Sequence, residues 1–324
     1  MLRNYVKPLL KSVLVDTIKA PIRLYTPRRA LMYVPGDDLK KVLKAFLLDA
    51  DSIVLDCEDG VALNKKVQAR INIRDILDKG KPQRKRPYDF AVRINSVASE
   101  LIKDDLSVLV TGKNLPNTIY LPKVENVQHL ETFSGYLDEY VKAQSNIGLI
   151  IAIESAFALV NVVDICKAAI KMSSKFTPVA LLFGSDDFCA SIGAKRTESS
   201  FEVTYARQKI VTVAKAFNLQ AIDMVYIKYK DPEGLKKQAE EGAQLGFSGK
   251  QVIHPDQIDI TQKAFMPNPD QIKWAQEILN AFYKHQKEGK GAFSYKGHMI
   301  DMPTVKQAQN VVDLANAIMI NINE

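Results

Sequence analysis

Cysteine is scarce in this 324-residue chain: Cys57, Cys166 and Cys189 are far apart and form no C-x-x-C pair. Such usage speaks against a disulfide framework and a zinc site, and for a reducing compartment. Histidine is also rare, with four residues and no paired arrangement. No apolar run approaches the roughly 18 residues needed to cross a bilayer, and stretches such as Ile147–Ile153 are strand-length. A membrane is therefore not a partner. No G-x-G-x-x-G follows the first strand-like segment, which weakens a dinucleotide-binding sheet. Internal repeats and low-complexity linkers are absent too. Acids are lacking mainly at the start. Residues 1–30 carry seven basic residues against Asp16 alone, so +6 of the net +7 sits there and +1 remains for residues 31–324. The body is nearly neutral, and nucleic acid is not its partner. The acid-poor, loosely amphipathic leader, residues 1–27, matches a mitochondrial transit peptide better than a DNA-binding arm. A disordered basic tail is the alternative.

Past the leader, short β-branched runs alternate with longer amphipathic stretches. Strands are expected at 30–34, 52–56, 90–94, 118–122, 148–153, 179–183, 221–227 and 250–253. Helices are expected between them, for example at 38–48, 64–77, 156–170 and 202–217. Most of the strands are continuously apolar, as parallel strands covered on both faces must be. Eight βα units spaced about 30 residues apart have the rhythm of a (β/α)₈ TIM barrel. An open doubly wound sheet alternates likewise and stays open as an alternative. The barrel is expected over residues 28–265, with a C-terminal helical extension over 266–324. Within the extension a helix at 268–285 precedes a Gly-rich segment at 287–292, and Asp301-Met-Pro-Thr304 opens a second helix. Gly289–Gly291 reads as a hinge.

In such barrels the strand C-termini converge on one mouth and carry the chemistry. Here those ends read Tyr33-Val-Pro-Gly36, Asp56-Cys-Glu-Asp-Gly60, Arg93-Ile-Asn-Ser96, Pro122-Lys-Val-Glu125, Glu154-Ser155, Gly184-Ser-Asp-Asp187, Asp223…Tyr226 and His254-Pro255. Most of these groups are acids, and crowded carboxylates raise one another's pKa unless a cation relieves them. Oxygen ligands without cysteine or paired histidine favour Mg²⁺ over zinc. Glu154 is the first candidate ligand, with a solvated rim carboxylate or a partner for Arg93 as alternatives. Asp187 or Asp186 is the natural second. Asp56, Glu58 and Asp59 either hold metal-bound waters or form a simple turn. Arg93 suits a substrate carboxylate or an enolate oxygen, or else an internal ion pair. Lys40 and Lys44 lie one turn apart beside the mouth, where phosphates can bind, although such pairs are usually a solvated face. His254 is divided evenly between a structural and a site role.

Taken in order, Tyr33-Val-Pro-Gly-Asp-Asp, Leu55-Asp-Cys-Glu-Asp-Gly-Val, Arg93-Ile-Asn-Ser, Leu121-Pro-Lys-Val-Glu, Ile153-Glu-Ser, Phe183-Gly-Ser-Asp-Asp-Phe, Gly249-Lys-Gln-Val-Ile-His-Pro and Ile300-Asp-Met-Pro resemble the citrate lyase β-subunit-like family of the HpcH/HpaI aldolase group. The match runs from about residue 28 to the end. It implies a Mg²⁺-dependent lyase that cleaves citramalyl-CoA to acetyl-CoA and pyruvate in the mitochondrial matrix, with malyl-CoA and malate-synthase-like side activities. It implies Glu154 and Asp187 as metal ligands. Tyr33, Lys40, Lys44, Ile253 and His254 would hold the coenzyme A thioester, and Arg93 the acyl portion. It also implies a homotrimer in which Asp301 enters the site of a neighbouring subunit. Many relatives carry Glu-Asp where this chain has Asp186-Asp187. Two other readings remain open: a Mg²⁺-dependent pyruvate aldolase on a free hydroxy-keto acid, which would leave Lys40 and Lys44 without phosphates to bind, and a non-catalytic barrel subunit.

Overall fold

The computed structural model describes residues 26–84, 86–141, 147–172, 174–287 and 293–323. Most of the leader, residues 1–25, and the expected hinge Gly289–Gly291 lie outside them. Eight parallel strands close into a barrel in sequence order: β1 (Ala30–Pro35), β2 (Ser52–Asp56), β3 (Asp89–Arg93), β4 (Thr118–Leu121), β5 (Ile147–Ile153), β6 (Phe176–Phe183), β7 (Gln220–Asp223) and β8 (Gly249–Val252). Pairing of β1 with both β2 and β8 seals the ring and decides against the open sheet. Helices α1 (Leu39–Ala45), α2 (Lys66–Lys79), α3 (Ile102–Leu109), α4 (Val127–Tyr140), α5 (Ala156–Lys171), α6 (Ser185–Ile192), α7 (Thr204–Ala216), α8 (Pro232–Leu245) and α9 (Ile258–Ala264) alternate with the strands or follow them.

The two faces of the strands build two cores. Leu31, Val54, Ala91, Tyr120, Ile150, Ala152, Leu182 and Ile222 fill the interior, while the alternate positions pack against the helices. This is why the strands read as continuous apolar runs. Polar groups come paired where they enter these layers. Arg28 closes the base of the barrel, donating to Asp89 at 2.6 Å and to Thr118 at 3.2 Å. Between strands and helices, Arg207 of α7 clamps Asp223 of β7 at 2.9 and 3.0 Å. A buried charge deprived of such a partner is costly, typically about 3–5 kcal/mol.

Sequence reading overran two elements. The seventh strand was expected to reach residue 227 but stops at Asp223. There the Gln251 amide takes the Asp223 carbonyl and the Gln257 amide takes the Tyr226 carbonyl, so side chains replace the sheet ladder. The first helix ends at Ala45, three residues short of the expected 48.

The C-terminal extension is built from α10 (Pro269–Lys287), a hairpin of β9 (Phe293–Tyr295) and β10 (His298–Ile300), and α11 (Met302–Asn323). It has its own small core of Ala275, Ile278, Leu279, Ile300, Val305 and Ala308. The hairpin escaped the sequence reading because each strand has only three residues. Its one legible signal is Lys296-Gly297, whose φ angles of 49° and 82° make the left-handed pair that tight hairpins need. Far along α11, Ile318 lines a small cavity together with Arg29 and Asp51, at the N-terminal end of the barrel and away from the mouth.

Candidate active site

The strand periodicity itself builds the site. Side chains two residues apart point the same way, so the inward positions next above the apolar interior are Tyr33 after Leu31, Asp56 after Val54, Arg93 after Ala91 and Glu154 after Ala152. On β6 that position is Gly184, and it has to be: a Cβ there would meet Glu154 Cγ at 2.5 Å. These residues, with Tyr120, Gln251, Ile253, Asp186 and Asp187, surround a mouth cavity of about 350 Å³.

Arg93 is held from two sides. Its Nε and Nη2 donate to Asp56 at 2.7 and 2.6 Å, and Nη1 lies 2.9 Å from Glu58 Oε2 as a charge contact without hydrogen-bond alignment. Asp56 is fixed in turn by the backbone N–H groups of Glu58 and Gly60, each at 2.8 Å. The expected internal ion pair of Arg93 is therefore present, and the arginine faces the cavity as well. The guanidinium also stacks over Tyr33, 4.8 Å from the ring centre. Tyr33 donates to Gln251 Oε1 at 2.9 Å, and burial pushes its pKa well up, so it stays a neutral donor.

Glu154 is buried, with one oxygen accepting from Tyr120 at 3.1 Å. Its partner is thus a tyrosine, not Arg93. Its other oxygen, Oε2, is buried with no hydrogen-bond partner. Burial, reinforced by Glu58 and Asp187, pushes its pKa up to about 7 against the opposing pull of Arg93 and Lys123. A solvated rim carboxylate would show none of this. The Asp186-Asp187 pair separates cleanly. Arg196 binds both oxygens of Asp186 at 2.7 and 2.9 Å, whereas Asp187 forms no hydrogen bond or ion pair among the described residues and faces the cavity beside Glu154.

Charge explains what the mouth lacks. Among the described residues Asp56, Glu58, Asp59, Glu154, Asp186 and Asp187 stand against Arg93, Lys123 and Arg196. With all six ionised three negative charges remain, and the two carboxylates with an oxygen outside both hydrogen bonds and ion pairs are Glu154 and Asp187. That donor set suits a hard divalent cation that takes its remaining ligands from water and substrate. No cluster of three or more His, Cys, Asp or Glu side chains suited to a metal occurs among the described residues, so a cage built wholly from protein is not on offer.

Lys40, Lys44, His254 and Asp301 fall outside the cavity wall. Lys40 and Lys44 project from the exposed side of α1. Ile253 lines the cavity rim, while His254 caps the turn after β8, accepting from the Asp256 N–H at 3.3 Å, and stacks on Tyr229 at 4.9 Å. Asp301 does not reach the cavity. It caps α11, accepting from the Thr304 N–H and hydroxyl at 3.1 and 2.9 Å, and these bonds hold its pKa below the usual carboxylate range. Tyr120, Gln251 and Arg196 were missed by sequence reasoning. Tyr120 sits inside a strand and reads as core, and the other two act only through contacts across the fold.

The model of the HpcH/HpaI aldolase/citrate lyase family matches residues 29–255, the whole barrel and its mouth. This chain belongs to that family. Among its relatives, the mitochondrial citramalyl-CoA lyase of Homo sapiens is 47% identical, the alignment covering 91% of this chain and 87% of the relative. Citrate lyase subunit beta of Leuconostoc mesenteroides is 32% identical, with 90% and 94% covered. Among solved structures, the CitE protein of Mycobacterium tuberculosis in complex with magnesium, acetoacetate and coenzyme A superposes with a TM-score of 0.69 at 26% identity, covering 90% of this chain and 98% of that one. The family match thus spans the barrel on which the cavity is built.

Proposed function

We propose that this member of the family is a Mg²⁺-dependent carbon–carbon lyase that cleaves citramalyl-CoA to acetyl-CoA and pyruvate, with malyl-CoA as a secondary substrate. The observation that carries the reading is the buried, unpartnered oxygen of Glu154 facing the free carboxylate of Asp187 beside Arg93. The names of the relatives, and the magnesium and coenzyme A of the mycobacterial structure, point the same way. Glu154 and Asp187 would hold the ion. When bound, Mg²⁺ supplies a Lewis acid for the hydroxyl and carboxylate oxygens of the substrate.

The residues of the chain do the rest. Arg93 lends positive charge to oxygens that gain electron density as the C–C bond breaks. In that step the substrate hydroxyl gives its proton to solvent water and becomes the carbonyl of pyruvate, while the bonding pair of the broken C–C bond leaves on the enolate of acetyl-CoA. The enolate carbon then needs a proton, and Asp301 is the proposed donor. In the isolated chain Asp301 caps α11, about 25 Å along the helix from Ile318 by helical rise. Asp301 does not line the mouth of its own barrel. We therefore propose a homotrimer in which Asp301 of one subunit enters a neighbour's mouth, where desolvation raises its pKa enough to carry the proton. The barrel over residues 28–265 and the segment 266–324 thus serve as two halves of a shared site. Incubation of the purified protein with Mg²⁺ and citramalyl-CoA should yield acetyl-CoA and pyruvate in equal amounts. Turnover of a free hydroxy-keto acid instead would favour the aldolase alternative.

Lys40 and Lys44 are proposed to meet the phosphates of the thioester, together with Tyr33, Ile253 and His254 at the rim. The Lys40→Ala/Lys44→Ala protein should raise KM about tenfold at low salt with a smaller change in kcat, and the difference should shrink as salt screens the charges. An unchanged KM would return both lysines to the solvated face.

Metal binding should also depend on pH. A carboxyl with a pKa of about 7 in the metal-free protein must lose its proton before it ligates. Affinity for Mg²⁺ therefore rises with pH up to about 7, by at most roughly tenfold per pH unit, and levels off above it. Calorimetry in buffers of different ionisation heat should detect proton release at about pH 6 and little at about pH 8. Flat affinity across that range would argue that Glu154 is not a ligand. We further propose residence in the mitochondrial matrix with residues 1–27 as transit peptide, which co-fractionation with the matrix checks.

A further inference from the structure

Four residues other than glycine have a positive φ among the described residues: Lys123, Ser200, Asn218 and Lys296. Ser200 precedes a short 3₁₀ turn, Asn218 follows α7, and Lys296 turns the C-terminal hairpin. Lys123 alone follows a barrel strand at the mouth, two residues beyond the end of β4, with φ at 52°. Glycine or asparagine would adopt that backbone with less strain, and a lysine held there calls for a reason in its side chain.

The side chain reaches from the top of β4 across the top of β3 to the loop after β2. Its ammonium lies 2.7 Å from Glu58 Oε1 and 3.1 Å from Asp59 Oδ2. The other oxygen of Glu58, Oε2, is the one that faces Arg93 Nη1 at 2.9 Å. Glu58 is itself 4% exposed, and among the described residues its carboxylate meets Lys123 on one side and Arg93 on the other. Lys123 does not line the cavity.

We infer that Lys123 is a positioning residue: it occupies one oxygen of Glu58, so that Glu58 does not close both on Arg93 and Arg93 keeps an N–H for the substrate. Asp56 already takes the Nε and Nη2 edge of the guanidinium, and Nη1 is the edge still to be shared. With the ammonium gone, a buried carboxylate has Arg93 as its one remaining cation among the described residues and turns fully onto it. The left-handed backbone is what lets a side chain rooted on β4 span β3 without entering the cavity.

The inference rests on the reading of Arg93 as the group that faces the acyl portion, and the test separates the two. Lys123→Gly relieves the backbone while removing the ammonium; Lys123→Asn, also at ease in this conformation, is the second variant. Both should show kcat for citramalyl-CoA reduced about tenfold or more and keep KM within about twofold. Adding Glu58→Gln to Lys123→Gly should recover part of the lost kcat, because the carboxylate that captures Arg93 is then neutral. A purely structural lysine predicts a lower melting temperature with the kcat of the folded protein unchanged, and a lysine that touches the substrate predicts no recovery with Glu58→Gln. Either result overturns the inference, as does an unchanged kcat in both single variants when Arg93→Gln is inactive. If Arg93→Gln is as active as the parent, the reading of Arg93 falls and the inference goes with it.

Discussion

The Glu154→Gln protein is expected to fold normally, bind Mg²⁺ poorly and turn over citramalyl-CoA at least about 10³-fold more slowly, since loss of a catalytic metal removes several kcal/mol of charge stabilisation. The substitution is nearly isosteric, and the hydrogen bond from Tyr120 at 3.1 Å can be kept by the amide oxygen. What it removes is the charge on the buried, unpartnered side of the residue. Neutralising Glu154 also relieves a buried carboxylate whose pKa is already pushed up to about 7 by burial, so thermal stability without metal should not fall. Asp187→Asn should behave alike. Asp186→Asn should retain Mg²⁺ binding, because its carboxylate is already committed to Arg196. Metal titration and turnover of the three variants check the assignment. Full activity in EDTA, or loss of Mg²⁺ binding in the Asp186 variant alone, would sink it.

Asp301→Ala should lower kcat by at least about 10²-fold, the usual scale for losing a general acid, while Mg²⁺ and substrate still bind. Its position at the head of α11, outside the wall of its own mouth cavity, predicts a further result. Mixing inactive Glu154→Gln subunits with inactive Asp301→Ala subunits should restore part of the activity, because some interfaces then pair an intact mouth with an intact acid. Refolding or subunit exchange followed by a turnover assay gives the answer, with sedimentation measured on the same samples. Well-mixed oligomers without recovery would show that Asp301 serves its own barrel or none. Deletion of residues 293–323 should abolish turnover while Mg²⁺ binding at Glu154 and Asp187 persists.

The barrel was legible in the sequence because burial on both strand faces leaves a simple trace: apolar runs about 30 residues apart, each ending in a polar group. Alternation along each strand also makes the site partly legible. Once Ala152 and Val54 are inward, Glu154 and Asp56 must be inward too. Short elements left no such trace, and so the β9–β10 hairpin and the true end of β7 were lost. The choice between Asp186 and Asp187 could not be read from neighbours in sequence, since Arg196 decides it by folding back onto one of them. Nor could the sequence show that Arg93 is shared between Asp56 and Glu58, or that Lys123 reaches over from β4. The sequence alone thus determined that the strand-end residues Tyr33, Asp56, Arg93 and Glu154 stand at the mouth, because strand periodicity is local. Only the tertiary structure decided which of them are already paired and which remain free to bind, because ion pairs form across strands that closing the ring brings together.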